Sequence, residues 1–181
     1  MEINQFRSEF IVFVIDSDFR FSETIVEALK SAGYLTRFFP TIDSALAVAH
    51  EDPPHLIVYH PEGFTGLTEE FVARIRSVSP EILLLFVLSA KEVLPVLSMI
   101  NQGLIFDYIA KPFVSSLEII QKVDRGAMQL LYMYENEQLR EDAAKHDVAA
   151  PSPADFVEGP ARSIESAREV LSDSFVQKMN M

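Results

Sequence analysis

Phe10–Asp18 reads FIVFVIDSD: six apolar residues without a break, then two acids around a serine. A half-exposed strand alternates apolar and polar residues, so an unbroken run predicts a strand covered on both faces. The following stretch, Phe21–Ala32, carries Ile25, Leu29 and Ala32 at helical spacing and meets a stop signal at Gly33. The same couplet recurs downstream. Tyr34–Phe39 predicts a second strand, and Ile42–His50 a helix behind Thr41 as N-cap. His55–Tyr59 (HLIVY) predicts a third strand, with a helix over Glu69–Val78 after the loop Pro61–Thr68. Ile82–Leu88 (ILLLFVL) predicts a fourth strand and Lys91–Gln102 its helix, in which Pro95 is tolerable only near the first turn. Leu104–Ala110 predicts a fifth strand, followed by Lys111-Pro112 and a long helix from about Ser115.

Five strand–helix couplets imply an α/β protein: a doubly wound five-stranded parallel sheet with helices on both faces. In such sheets the functional crevice lies beyond the carboxyl ends of the strands. The residues there are Asp16, Ser17 and Asp18 after the first strand, His60 after the third, Ser89 and Ala90 after the fourth, and Lys111 after the fifth.

The last helix is longer than such a domain requires. Its apolar positions run through Ile120, Val123, Ala127, Leu130, Leu131 and Tyr134. From Ser115 to Lys145 it would span about 45 Å at 1.5 Å per residue, so its end is expected to project. The chain therefore divides into a domain over 1–126, a projecting extension of the last helix over 127–147, a Pro/Ala-rich linker over 148–162 and an amphipathic tail helix over 163–181. Core packing of the last helix accounts for the stripe up to about Ala127, while Leu130, Leu131, Met133 and Tyr134 need another partner; an exposed apolar stripe marks an interface, and a homodimer surface including Ile120, Val123, Leu130, Leu131 and Tyr134 is expected.

Composition removes several functional classes. Lys+Arg total 15 against 27 Asp+Glu, a net charge of −12. That lacks the basic footprint that nucleic-acid binding needs. There is no cysteine for a disulfide, a thiolate nucleophile or a zinc–thiolate site. The strongest apolar stretch, Ile82–Ala90, is well short of the about 20 residues of a membrane span, and Met1–Arg7 has no signal-peptide pattern. A cytoplasmic protein with no membrane insertion is expected.

At the strand ends the sequence resembles the receiver domain of bacterial response regulators, the CheY-like family with its flavodoxin-like fold. The resemblance covers about Glu9–Val123. It is carried by Ile15-Asp16-Ser17-Asp18, Leu56-Ile57-Val58-Tyr59-His60, Val87-Leu88-Ser89-Ala90 and Asp107-Tyr108-Ile109-Ala110-Lys111-Pro112. In that family two acids follow strand one, a phosphorylated Asp ends strand three, Thr or Ser ends strand four, and Lys-Pro follows strand five through a cis bond. Here His60 stands at the phosphoacceptor position and Ser17 at that of the second metal-binding carboxylate. The loop after His60 reads Pro-Glu-Gly-Phe-Thr-Gly, without the family's Met-Pro and Asp-Gly turn.

These departures change the charge of the site. A working receiver crowds three carboxylates around one Lys and offsets them with magnesium, which wants hard oxygen ligands. Asp16, Ser17, neutral His60 and Lys111 sum to about zero, and no carboxylate remains to accept a phosphoryl group. No cofactor and no Mg²⁺ binding are expected, and no enzymatic activity.

Each position also has a plainer reading. Asp16 is either a residual metal ligand or an acid paired with Lys111 or capping the first helix, and the second is simpler. Asp18 is a helix-start residue, favoured at the positive end of the dipole. His60 is either a phosphohistidine, metal ligand or pH switch, or a hydrogen-bonding residue filling a vacated site. Ser89 is expected to bond backbone or Lys111. Tyr108 occupies the family's switch-aromatic position, or is a partly buried surface ring. The function expected is that of a pseudo-receiver, a phosphorylation-independent protein-interaction and dimerisation module in two-component-type signalling or protein localisation. Its surface would be the fourth helix, fifth strand and last helix. The rival expectations are a receiver switched by phosphorylation at His60, and a flavodoxin-like small-ligand domain.

Overall fold

The structure, a computed structural model, describes residues 6–61, 67–112 and 115–146. The linker and tail-helix expectations over 148–162 and 163–181 lie outside these residues, as does most of the loop after His60. The elements alternate as β1 (Ile11–Ile15), α1 (Phe19–Ser31), β2 (Leu35–Phe39), α2 (Ile42–Ala49), β3 (Leu56–Tyr59), α3 (Leu67–Val78), β4 (Leu83–Ser89), α4 (Val93–Asn101), β5 (Asp107–Lys111) and α5 (Ser116–His146). The five strands form one parallel sheet in the order β2-β1-β3-β4-β5. This is the doubly wound, flavodoxin-like architecture, with its switch point between β1 and β3.

Successive strand residues point to opposite faces, and two cores result. On one face Val12, Val14, Leu56, Val58, Leu85 and Val87 pack with Ile25 and Leu29 of α1 and with Ile119, Val123, Ala127 and Leu130 of α5. On the other, Phe13, Ile15, Ile57, Tyr59, Leu84 and Phe86 pack with Ala45 and Leu46 of α2, Phe71 and Ile75 of α3, and Val96 and Met99 of α4. Burial on both sides explains why β1 and β4 read as unbroken apolar runs.

Local chemistry sets the boundaries. Asp18 caps α1, its carboxylate accepting the backbone N–H groups of Arg20 and Phe21, so the helix starts at Phe19. Thr41 caps α2 on the N–H of Ser44. The fifth strand starts later than its apolar residues predict. Gly103, at φ +71°, closes α4, and the Leu104 N–H is spent on the Met99 carbonyl at 2.9 Å. That 6→1 closure of the helix end keeps Leu104 out of the sheet, and pairing begins at Asp107 opposite Leu85.

The last helix departs from expectation in a way that bears on function. One compact unit runs to Gln138. Val123 and Ala127 are fully buried and Leu130 is 2% exposed, all in the α1/α5 core, with Leu131 packed against that core. Val123 and Leu130 were expected on a dimer surface. They are instead core residues, because the helical repeat keeps returning them to the sheet one turn after another. Ile120 and Leu131 are half-buried, while Tyr132, Met133 and Tyr134 are exposed.

Gly126 lets α5 sit tightly on the sheet. A Cβ there would lie 2.9 Å from a Leu56 methyl and 3.1 Å from a Leu83 methyl. The first described turn is fastened to the same helix. Arg7 donates to both carboxylate oxygens of Asp124 (2.9 and 2.7 Å), and the Tyr34 hydroxyl donates to the same group.

Candidate functional site

Register brings the strand ends together. Ile15 is level with Phe39 on one side and Tyr59 on the other, and Ser89 is level with Lys111. Asp16 and His60, each one residue past its strand, therefore meet at the switch point. The ladder extends through both residues, with Asp16 N–H on the Phe39 carbonyl and His60 N–H on the Ile15 carbonyl (3.2 and 3.1 Å).

Asp16 is buried, with 3% of its surface exposed. Its Oδ1 accepts the Asp18 backbone N–H at 2.9 Å and lies 3.1 Å from His60 Nδ1. Its Oδ2 accepts the Ser22 hydroxyl at 2.8 Å. Burial by itself pushes the Asp16 carboxyl up. The bonds from His60, the Asp18 N–H and Ser22 together outweigh it and hold the carboxyl below the ordinary aspartate value.

His60 bridges two opposite charges. Lys111 Nζ lies 3.0 Å from its Nε2. The ammonium is also 3.3 Å from Nδ1, so it rests against the ring and off the line of the Nε2 lone pair, and a proton on Nδ1 lets the ring donate to Asp16. The same ammonium lies 3.7 Å from the centroid of the Phe21 ring, a cation–π contact. Burial lowers the Lys111 pKa, against the opposing pull of Asp16, Asp18 and Glu92. Lys111 thus reaches Asp16 by way of His60, where a direct pair was expected. The imidazole fills the gap between them.

The other expected residues lie around this row. Ser17 is exposed and, with Thr41 and His60, lines a shallow cleft of about 220 Å³. Ser89 and Glu92 clasp each other, the Ser89 N–H donating to the Glu92 carboxylate at 2.7 Å and the Glu92 N–H to the Ser89 carbonyl at 2.9 Å. Tyr108 is half-buried against the α4-side core, with the Lys122 ammonium 5.6 Å from its ring. Beside it the Asp107 carboxylate takes Lys122 at 2.8 Å and Arg125. The Lys111–Pro112 peptide is cis.

Two members of the site escaped the sequence reading. Ser22 is fully buried and sits at i, i+3, i+7 with Ile25 and Leu29, so it is the one polar residue in the apolar stripe of α1. A hydroxyl in that stripe signals an acceptor beneath it. Phe21 gave no comparable signal, because its role depends on where Lys111 falls in space.

No family model and no curated relative matches the chain. Solved structures do resemble it. A protein described as adenylate cyclase from Rhodopirellula baltica superposes with a TM-score of 0.63 at 22% identity, over 72% of this chain and 96% of that one. The receiver domain of NtrX from Brucella abortus gives 0.56 at 23%, over 65% and 98%. An orphan response regulator of H. pylori gives 0.56 at 18%, over 67% and 98%. At these identities the likeness is one of fold: the flavodoxin-like fold that receiver domains share.

Proposed function

We propose that this chain is a pseudo-receiver, a protein-interaction module that works without aspartyl phosphorylation. The observation that carries the reading is His60 standing at the end of β3 between Asp16 and Lys111. The phosphoacceptor position of the resembled family holds an imidazole, and the retained acid and lysine are both bonded to it. Each Asp16 oxygen already accepts hydrogen bonds, and the nearest cation is a lysine of the same chain. A divalent ion would have to displace protein donors for little electrostatic gain. The reading is non-enzymatic.

The proposed interaction surface is α4, β5 and α5, engaged by a second copy or a partner protein of a two-component-type system. Leu94 and Leu97 on α4 are 77% and 38% exposed, three residues apart on one helix. Half-buried Tyr108 and the Asp107, Lys122 and Arg125 cluster supply polar contacts on β5 and α5. A net charge of −12 disfavours nucleic acid as partner, and among the described residues no helix is long and apolar enough to cross a membrane.

The test is acetyl phosphate or beryllofluoride with Mg²⁺, followed by intact mass and fluorescence. No phosphoryl adduct and no Mg²⁺-dependent change are expected. An acid-stable, base-labile phosphoryl adduct would overturn the reading. An acid-labile adduct lost in His60→Ala would replace it with a histidine relay.

A further inference from the structure

The chain carries a net charge of −12, yet one of its cavities is lined by cations. It measures about 320 Å³ and lies where the end of α3, the start of β4, the end of α4 and the lead into β5 meet α5. Its charged and amide groups are the guanidiniums of Arg76 and Arg125 and the carboxamide of Gln129, and no carboxylate lines it. Leu83, Ile100, Ile105 and Phe106 supply apolar surface, with the Arg125 guanidinium carbon 5.4 Å from the centroid of the Phe106 ring.

Arg76 is half-buried and donates to three backbone carbonyls, those of Pro80, of Ile82 at 2.8 Å and of Leu104 at 3.2 Å. These bonds fasten the end of α3 to the starts of β4 and β5, but they bring no negative charge. Among the described residues no carboxylate pairs with it, and burial pushes its pKa down with no acid opposing. Arg125 pairs with Asp107, which Lys122 shares. Around this cavity three cations therefore answer to one acid. A charge withdrawn from water is ordinarily paired, and a planar guanidinium matches a carboxylate through two parallel N–H bonds.

We propose that this cavity binds a small carboxylate with an apolar body, an aryl or branched-chain acid. The carboxylate takes the guanidiniums of Arg76 and Arg125, and Gln129 adds a further donor. The body covers Leu83, Ile100, Ile105 and Phe106. Both parts of the ligand are required. A bare anion leaves the apolar lining wet, and a neutral apolar molecule leaves Arg76 without a counter-charge. Ligand pockets run from about 300 to 1,000 Å³, so a cavity of about 320 Å³ takes a single ring or a short branched chain and not a nucleotide. The cavity lies at the starts of the parallel strands, the opposite end from Asp16 and His60. The proposal therefore stands whether or not the chain works as a pseudo-receiver.

The experiment titrates the full chain with phenylacetate and 4-methylpentanoate, and with 2-phenylethanol and inorganic phosphate as the neutral and bare-anion controls, following backbone amides by ¹H–¹⁵N NMR. At least one of the two acids should give saturable shifts at Gly103, Phe106 and Gln129 and bind about ten-fold more tightly than either control. Arg125→Gln, at an exposed position, should weaken that acid about ten-fold. Lys30→Gln removes the same charge from an exposed position on α1 and should leave its affinity unchanged. Circular dichroism establishes that each variant is folded, and the comparison of probes on the wild-type chain needs no variant. Binding of one acid only identifies the body. No saturable shift at the lining residues with either acid, affinity no higher than that of the controls, or equal weakening in the two variants would overturn the proposal.

Discussion

His60 Nδ1 lies 3.1 Å from Asp16 Oδ1, on a carboxylate with only 3% of its surface exposed. This bond and those from Ser22 and the Asp18 N–H hold the Asp16 carboxyl below 3.8 despite its burial. A depressed acid pKa stabilises the fold fully above the unfolded value, and that stability is lost as pH falls through the lower folded value. The native chain should therefore lose this contribution only below about pH 3.8. In His60→Ala burial loses its main opponent, and the Asp16 carboxyl should move up. Carboxyl ¹³C titration of Asp16 reads the shift directly. Acid unfolding should begin at higher pH, with about 1–3 kcal/mol lost near neutrality.

Asp124 joins the Arg7 guanidinium and the Tyr34 hydroxyl, which is why burial and the adjacent carboxylate together push the Tyr34 pKa up. Asp124→Ala strips the acceptor from both. The expected cost is about 2–4 kcal/mol in urea denaturation, because a partly buried guanidinium and a buried hydroxyl are left without it. Arg7→Ala should cost less, since Tyr34 keeps its partner.

Gly126 permits the close seat of α5 on Leu56 and Leu83. Gly126→Val should destabilise by about 1–3 kcal/mol through overpacking. Gly126→Ala should sit closer to wild type, because the gain of about 1 kcal/mol in helix propensity opposes the contact with two leucine methyls. Thermal melting of the two variants separates packing from propensity.

The α4 surface makes a separate prediction. Leu94→Glu with Leu97→Glu should shift association toward monomer in sedimentation velocity while leaving the melting temperature of the isolated fold within a few degrees. Leu130→Ala should do the reverse, costing about 2–5 kcal/mol of stability with no specific effect on association. Unchanged association in the first variant would remove α4 from the interface.

Element type and order were legible in the sequence because strands buried on both faces leave unbroken apolar runs between amphipathic helices. Boundaries were less so. Leu104 and Phe106 look like strand residues, yet Leu104 gives its N–H to the end of α4, a choice made by Gly103 and invisible to hydrophobicity. The meeting of Asp16, His60 and Lys111 followed from strand ends in a parallel sheet. The order of contact did not: which of three groups touches which depends on side-chain reach, and the imidazole took the middle place. Leu130 lies in the core for a related reason. Periodicity shows that a helix has an apolar face, but not how far along the helix the sheet continues to cover it.

The Arg7–Asp124 pair links residues 117 positions apart in sequence. Translation delivers Arg7, Phe10 and Tyr34 long before α5 exists, so the α1 side of the sheet stays open on the ribosome until the last helix emerges. α1 covers part of that face, and α5 completes the cover. Chaperone contact with this face during translation should therefore end as α5 docks and Asp124 meets Arg7 and Tyr34.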